Sequence, residues 1–130
     1  MEKFDYPIPY MKSVIEDIDK QYVNKVLASN IITQGEYVKK VEDEFSVLTN
    51  KKFSVMCSNG TAALHLVAEM VNAKYKKESK NIITTPLTFV ADANFGRYIN
   101  ADIKFADIDE NSWTISPESV ETLIDKDTIA

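Results

Sequence analysis

One stretch constrains the fold more than any other part of the chain: residues 53–68 read FSVMCSNGTAALHLVA. Its apolar beginning predicts a short strand over Phe53 to Cys57, followed by a tight turn and a helix that begins near Thr61. Gly60 can adopt φ > 0 and lets the backbone approach a ligand closely. Thr61 adds a hydroxyl beside the unpaired N–H groups of the first helical turn.

Those donors and the positive end of the helix dipole attract an anion, so the turn at Gly60 is a candidate phosphate site. The alternative interpretation is an ordinary strand-to-helix turn with an N-cap. Such turns are common in α/β proteins and carry no function by themselves. The residues of the turn alone leave both interpretations open.

Length and charge limit the classes of protein that remain. The chain has 130 residues, of which 45% are hydrophobic, enough for the core of one ordinary domain. Its net charge of −5 argues against a general affinity for nucleic acid or acidic membranes. A single cysteine excludes an internal disulfide framework and offers no thiolate cluster for a metal. No apolar run approaches the roughly 20 residues of a membrane span, and the first residues are not a signal peptide. We therefore expect a soluble, cytoplasmic protein.

Two helices are predicted before the 53–68 stretch. Ser13 and Glu16 fit a capping box for a helix that runs to about Ala28. Residues 36–48 predict an amphipathic helix whose apolar face consists of Val38, Val41, Phe45 and Leu48. These helices lie outside the strand–helix alternation that follows.

After residue 80, apolar strands alternate with helices. Strands are predicted at residues 81–85 and 102–107, and helices at 88–99 and 117–125. Ser116, with a proline and an acid directly after it, is a helix start signal. This alternation predicts an α/β layer with a largely parallel sheet. A further apolar strand begins at 127–130, and about three strands are fewer than such a sheet usually holds. We expect the front part of a longer protein rather than a small domain with a frayed end.

Three segments, in order along the chain, resemble successive signatures of the DegT/DnrJ/EryC1/StrS aminotransferases. They are residues 58–66 (SNGTAALHL), 83–94 (ITTPLTFVADAN) and 105–109 (FADID). Residues 4–6 and 32–35 are most similar to the branch of that family that acts in the pseudaminic-acid pathway. That branch aminates C4 of a UDP-linked 4-keto-6-deoxy-N-acetyl sugar.

The resemblance implies the N-terminal part of a fold-type I large domain that binds pyridoxal 5'-phosphate. Residues 1–52 would form an arm and helices that line the substrate entrance, and residues 53–130 the first strand–helix units of an incomplete large domain. Gly60 and Thr61 would bind the cofactor phosphate. Phe89 would lie over the pyridine ring, a contact worth about 0.5–1.5 kcal/mol beyond area burial.

The same resemblance implies the substrates and the assembly. The substrate contacts would be Tyr6, Asn30, Ile31, Ile32 and Thr33. The partners would be a nucleotide-linked keto-sugar and an amino-acid donor such as glutamate, and the complete enzyme would be a homodimer.

Two carboxylates, Asp107 and Asp109, are interpreted as turn and cap residues, and His65 as a packing or surface histidine rather than a base.

One departure from the family pattern limits these expectations. Transamination needs a lysine that holds the cofactor and moves the proton, and an acid beside the pyridine nitrogen. In the family both lie well downstream of the matched region, and none of the lysines here falls in the family's lysine motif. We therefore expect no catalytic residue in this chain, and expect that the polypeptide alone neither folds stably nor transaminates.

Two alternatives from other classes remain open. One is a phosphate- or nucleotide-binding module without chemistry, although no Gly-x-Gly-x-x-Gly or Gly-Lys-Ser/Thr pattern supports it. The other is a degenerate remnant that pairs with a full-length partner through exposed apolar faces.

Overall fold

The computed structural model describes residues 11–130. The chain divides into two compact units, of which the first ends at Met56 and the second comprises Cys57–Ala130. Tyr6 lies outside the described residues. Each unit has its own set of elements.

The first unit contains two helices, α1 (Asp17–Leu27) and α2 (Glu36–Leu48). The bounds of α2 confirm the prediction from its apolar periodicity. Neither helix contains a buried residue: Val38 and Val41 on the predicted apolar face of α2 are half-buried, and Leu48 is 79% exposed. Within the described residues, this unit therefore has helices but no interior.

The predicted start of α1 is wrong. The helix begins at Asp17, and its N-cap is Glu16 rather than Ser13. The backbone N–H of Glu16 donates to a carboxylate oxygen of Asp19 at 2.8 Å. Because Asp17 and Asp19 both place negative charge in the first turn, where the helix dipole favours it, the start at residue 17 prevails over the Ser13 signal.

The second unit is an α/β layer. Its elements are α3 (Gly60–Tyr75), β1 (Asn81–Thr84), α4 (Val90–Tyr98), β2 (Asp102–Phe105) and α5 (Pro117–Leu123). The two strands pair in parallel, from Asn81 opposite Asp102 to Thr84 opposite Phe105. Ser116 caps α5 by accepting the Ser119 N–H at 3.2 Å, as its position before the proline predicted.

The strand expected to begin at residues 127–130 is present only as an isolated bridge at Thr128, and the structure assigns no strand there. These residues run parallel to β1 on the edge opposite β2, with a bridge between Asn81 and Thr128. The Asn81 N–H donates to Asp127 O at 2.9 Å, and the Ile83 N–H donates to Ala130 O at 3.0 Å. Hence β1 is flanked on both edges.

The predicted strand at residues 53–57 is wrong, because the structure assigns no strand there. The sheet that the structure assigns within residues 11–130 consists of β1 and β2 alone. Residues 54 and 56 instead contact α2: Ser54 Oγ lies 3.1 Å from Ser46 Oγ, and the Met56 N–H donates to the Glu42 carboxylate at 2.9 Å. The apolar residues of the segment indicated strand propensity, but they did not determine which part of the chain the segment bonds to.

The core of the second unit lies between the sheet and helices α3 and α4. It consists of the buried side chains of Ala68, Ile82, Phe95, Ile99 and Ile129. Gly96 lies inside α4 and allows the helix to approach β1 closely. A Cβ added there would lie 2.9 Å from side-chain atoms of Ile82. The glycine thus serves packing at this position.

Candidate functional site

Helix α3 begins with a cap that leaves donors available. Asn59 is the N-cap, and its side-chain oxygen accepts the Ala62 N–H at 2.9 Å. The Ala63 N–H donates to Asn59 O at 3.1 Å, as the first hydrogen bond of the helix. Within the described part of the chain, the N–H groups of Gly60 and Thr61 have no acceptor. Two donors at the positive end of the helix are therefore available to a ligand.

Gly60 has a different role from the one its sequence suggests. Its φ is not positive, so the turn does not require glycine on conformational grounds. A Cβ placed on Gly60 would meet nothing within 4 Å, so the helix end faces open space. The Thr61 hydroxyl, on a half-buried residue beside it, also makes no hydrogen bond within residues 11–130. This set of donors fits a phosphate group.

Phe89 lies at the start of the neighbouring helix. It is the N-cap of α4, with extended backbone (φ −73°, ψ 140°), and 68% of its surface is exposed. Phe89 is therefore not part of the buried core. Its exposure leaves the ring face available for stacking on a planar ligand.

A cavity of about 230 Å³ joins the elements that carry these residues. It is lined by Leu64 of α3, Thr84 at the end of β1 and Asp92 of α4, together with Phe95 and Ala130. The beginnings of α3 and α4 thus lie at the carboxyl end of β1. In open parallel sheets, ligands bind at this edge.

The loop between α1 and α2 contains the residues expected to contact substrate. Asn30, Ile31 and Ile32 line a cavity of about 720 Å³ within the first unit, whereas Thr33 is not among its lining residues. The loop is held by Ser29, whose hydroxyl oxygen lies 2.7 Å from Val26 O and 2.9 Å from Ile31 O. Ile31 and Ile32 are 63% and 68% exposed, so their apolar side chains are available for contact.

Asp109 is a turn residue, as interpreted from the sequence. One of its carboxylate oxygens accepts the Ser112 N–H at 2.7 Å and the Asn111 N–H at 3.1 Å. The hydrogen bonds from Ser112, and then that from Asn111, lower the pKa of Asp109 below its ordinary value. Asp107 accepts the Ile108 N–H at 2.8 Å, so both carboxylates are engaged with local backbone.

The remaining candidates are structural. The His65 ring stacks on the Tyr98 ring at 4.1 Å between centroids, and its Nε2 lies 3.7 Å from a Glu69 carboxylate oxygen. This confirms the packing or surface interpretation. Among residues 11–130 no group of three or more His, Cys, Asp and Glu residues could hold a metal ion. No helix in the same range is long and apolar enough to cross a bilayer.

Two residues of this region were missed from the sequence. Asn59 directly precedes Gly60, and asparagine is among the residues most favoured at an N-cap. This preference was the sequence signal for its role. Asp92 lies four residues after Thr88, in the first turn of α4, where an acid is favoured. Both patterns are common at helix starts, so neither indicates a functional residue by itself.

Comparison with known proteins now identifies the group to which the chain is related. The sequence profile of the DegT/DnrJ/EryC1/StrS aminotransferase family matches residues 13–130. The chain belongs to this family.

Relatives within the family support the same conclusion. The chain is 32% identical over 124 residues to GDP-perosamine synthase of Escherichia coli O157:H7. The aligned region covers 95% of this chain and 33% of that protein. The chain therefore spans about a third of the length of the curated relatives it matches.

Solved structures of family members confirm the fold class. The E. coli GDP-4-keto-6-deoxy-D-mannose-3-dehydratase, determined with bound hydrated PLP, superposes with a TM-score of 0.83 at 28% identity, covering 92% of this chain and 32% of that chain. Helicobacter pylori PseC, an aminotransferase in the biosynthesis of pseudoaminic acid, superposes with a TM-score of 0.81 at 29% identity and with the same coverage. The chain has the N-terminal part of the fold of these pyridoxal-phosphate enzymes.

Proposed function

We propose that this chain supplies the phosphate-binding turn and the substrate-entrance loop of a pyridoxal 5'-phosphate-dependent sugar aminotransferase. The observation that carries the proposal is the start of α3, where the Gly60 and Thr61 N–H groups and the Thr61 hydroxyl have no partner within residues 11–130 and Gly60 faces open space. The family membership favours that cofactor over other phosphate compounds. Because the chain spans about a third of its relatives, the activity is proposed for the whole protein.

Each residue of the turn has a defined task in this proposal. The Gly60 and Thr61 N–H groups and the Thr61 hydroxyl donate to the cofactor phosphate, whose charge also meets the helix dipole. Phe89 stacks on the pyridine ring and fixes its plane. When bound, the cofactor supplies an electron sink that lets nitrogen move from an amino acid to a ketone.

The relatives support a proposal for the substrates. We propose a nucleotide-linked 4-keto-6-deoxy sugar as acceptor and a glutamate-like amino acid as donor, for surface glycan biosynthesis. Ile31 and Ile32 would contact the acceptor with their exposed apolar side chains, together with Asn30, Thr33 and Tyr6. A cytoplasmic homodimer is part of the same proposal, and we assign no catalytic lysine to this chain.

A second candidate is favoured by one observation, the likeness to a dehydratase at a TM-score of 0.83. Such an enzyme would use the same cofactor turn but remove a hydroxyl from the keto-sugar instead of adding an amine. The two reactions differ in the mass of the product, so one assay separates them.

The test uses the protein expressed from its complete reading frame. Pyridoxal 5'-phosphate is added first, and the visible absorbance and the dissociation constant of the bound cofactor are measured. UDP- and GDP-linked 4-keto-6-deoxy sugars are then incubated with glutamate, and the products are analysed by mass spectrometry.

An amino-sugar product supports the aminotransferase, and a deoxy product without new nitrogen supports the dehydratase. If the protein binds nucleotides but not pyridoxal 5'-phosphate, a binding module without chemistry replaces both. If the protein is recovered only in a complex with a longer homologue, the remnant alternative is supported instead.

A further inference from the structure

The position from which the Phe89 ring projects is set by the backbone, because little packing surrounds the side chain. Because 68% of the residue is exposed, few protein atoms hold its side chain. Its backbone, in contrast, is defined at the N-cap of α4, and the adjacent helical residues are anchored by Ala91, which is 2% exposed. Whatever fixes this backbone therefore fixes the direction of the Cα–Cβ bond from which the ring projects.

Two side chains enclose the Phe89 backbone. The Thr88 hydroxyl donates to a carboxylate oxygen of Asp92, which bridges the residue before the N-cap and the first turn of the helix. The Asp92 N–H donates to the Phe89 carbonyl at 3.0 Å. Together these bonds form a closed loop through residues 88–92.

Asp92 is also positioned by its surroundings. It is half-buried and lines the cavity at the end of β1, beside Thr84 and Phe95. Its carboxylate therefore has less freedom than an exposed acid, and its charge lies in the first turn, where the helix dipole favours it. A hydroxyl–carboxylate bond in this setting is among the stronger side-chain hydrogen bonds.

We propose that Thr88 and Asp92 are positioning residues that fix Phe89 for stacking on the cofactor's pyridine ring. This inference rests on the proposed function and adds a role for two residues to it. Neither side chain contacts the cofactor in this account. They act through the backbone of Phe89, which they hold in its N-cap conformation before the cofactor binds.

Five variants separate this role from general stabilisation, in the protein from the complete reading frame. Thr88→Val and Asp92→Ala remove the hydrogen bond. Thr88→Ser and Asp92→Asn keep a donor and an acceptor in place. Glu118→Ala is the matched control, because it removes a carboxylate that accepts the Ser116 hydroxyl at 3.0 Å in the first turn of α5.

Three quantities are measured for each variant. They are the dissociation constant for pyridoxal 5'-phosphate, the visible circular dichroism of the bound cofactor, and the amide hydrogen exchange of residues 90–92 without cofactor. The dichroism reports the orientation of the ring, and exchange reports the start of α4.

For Thr88→Val and Asp92→Ala we expect a dissociation constant raised by about two- to tenfold, the range that an aromatic stacking contact provides. Their visible dichroism should change, and exchange at residues 90–92 should become faster. Thr88→Ser, Asp92→Asn and Glu118→Ala should stay close to wild type in all three measurements.

Wild-type affinity and dichroism in both Thr88→Val and Asp92→Ala would overturn the inference while leaving the proposed function intact. Faster exchange together with an unchanged dichroism spectrum would also overturn it, since the bond would then stabilise the helix without orienting Phe89. If the wild-type protein fails to bind the cofactor, the proposed function itself is refuted, and the positioning role is refuted with it.

Discussion

The two units of this chain differ in how their apolar residues are used. In the second unit, Phe95 and Ile99 are 8% and 2% exposed and pack between helices and sheet. In the first, α1 and α2 contain no buried residue, and Phe45 on the apolar face of α2 is 54% exposed. The difference shows that helical periodicity indicates which face is apolar but not whether the chain buries that face.

This contrast also applies to the two groups of candidate site residues, one in each unit. The turn at Gly60 and Phe89 belong to the unit that has a core, and packing against that core holds the helices α3 and α4 in place. The loop of Ile31 and Ile32 belongs to the unit without one. We therefore expect substitutions of buried residues in the second unit to affect folding, and substitutions of exposed apolar residues in the loop between α1 and α2 to affect binding.

The largest difference is expected between two phenylalanines. Phe95→Ala should lower the free energy of local opening around α4 and β1 by about 3–5 kcal/mol, because it leaves a cavity in the core. Phe45→Ala should lower the free energy of local opening of α2 by less than about 1 kcal/mol, because the side chain is already more than half exposed. Amide hydrogen exchange in the complete protein measures both values. Equal losses would remove the contrast between the units.

The next effect concerns the entrance loop. Ile32→Ala should raise the KM for the nucleotide sugar on the order of tenfold and leave kcat unchanged, since it removes apolar contact area from binding alone. Val47→Ala is the control, because Val47 is 83% exposed on α2 and lies outside the loop. Steady-state kinetics with varied sugar nucleotide decide the matter, and an unchanged KM for Ile32→Ala would exclude this residue from the site.

A smaller effect concerns the polar cluster that aligns residues 127–130 with β1. The Lys104 ammonium group at 2.7 Å, then the Asn81 amide and the Asp127 N–H, hold the pKa of Asp125 well below its ordinary value of 3.8. A depressed pKa contributes stability above the ordinary value, which is lost as the pH falls through the lower one. This stabilisation is therefore expected to be complete at neutral pH and to weaken in acid.

In Lys104→Met the pKa of Asp125 should rise toward its ordinary value, because the first of these partners is removed. Titration of the carboxyl carbon by ¹³C NMR measures this shift, with Lys126→Met as a control for general charge. The account of this cluster fails if the two variants give the same titration as wild type.

The smallest effect is expected from the ion pairs on α2. Lys39 pairs with Asp43, and the Lys40 ammonium lies 3.5 Å from the Glu36 carboxylate, but all four side chains are more than half exposed. Lys39→Ala should change the stability of α2 by less than about 0.5 kcal/mol, since solvent screens such pairs. Hydrogen exchange in α2 tests this, and a loss comparable to that of a core substitution would show that α2 depends on its surface charges.

The sequence predicted local features better than pairing. The bounds of α2 and the Ser116 cap follow from periodicity and capping, which depend on neighbours in the chain. The strand at residues 53–57 was wrong because a strand depends on a partner elsewhere, and the capping box at Ser13 was wrong because two nearby acids favoured a later start.

The candidate site divides in the same way. The turn at Gly60 was recognised from its composition, although its glycine provides open space rather than a positive φ. The bond between Thr88 and Asp92 could not be predicted, since many threonine–acid pairs at this spacing form no hydrogen bond. The local sequence also does not predict whether an exposed residue such as Phe89 faces a ligand.

The central claim is that the start of α3 binds the cofactor phosphate, and one comparison tests it most directly. The complete protein and its Thr61→Val variant are titrated with pyridoxal 5'-phosphate and with pyridoxal, which lacks the phosphate, and Thr122→Val serves as the control. Loss of a hydrogen bond to a charged group should weaken the phosphate ester by about 10- to 100-fold and leave pyridoxal unaffected. Equal affinities of wild type and Thr61→Val for pyridoxal 5'-phosphate, or equal losses for both compounds, would contradict the account.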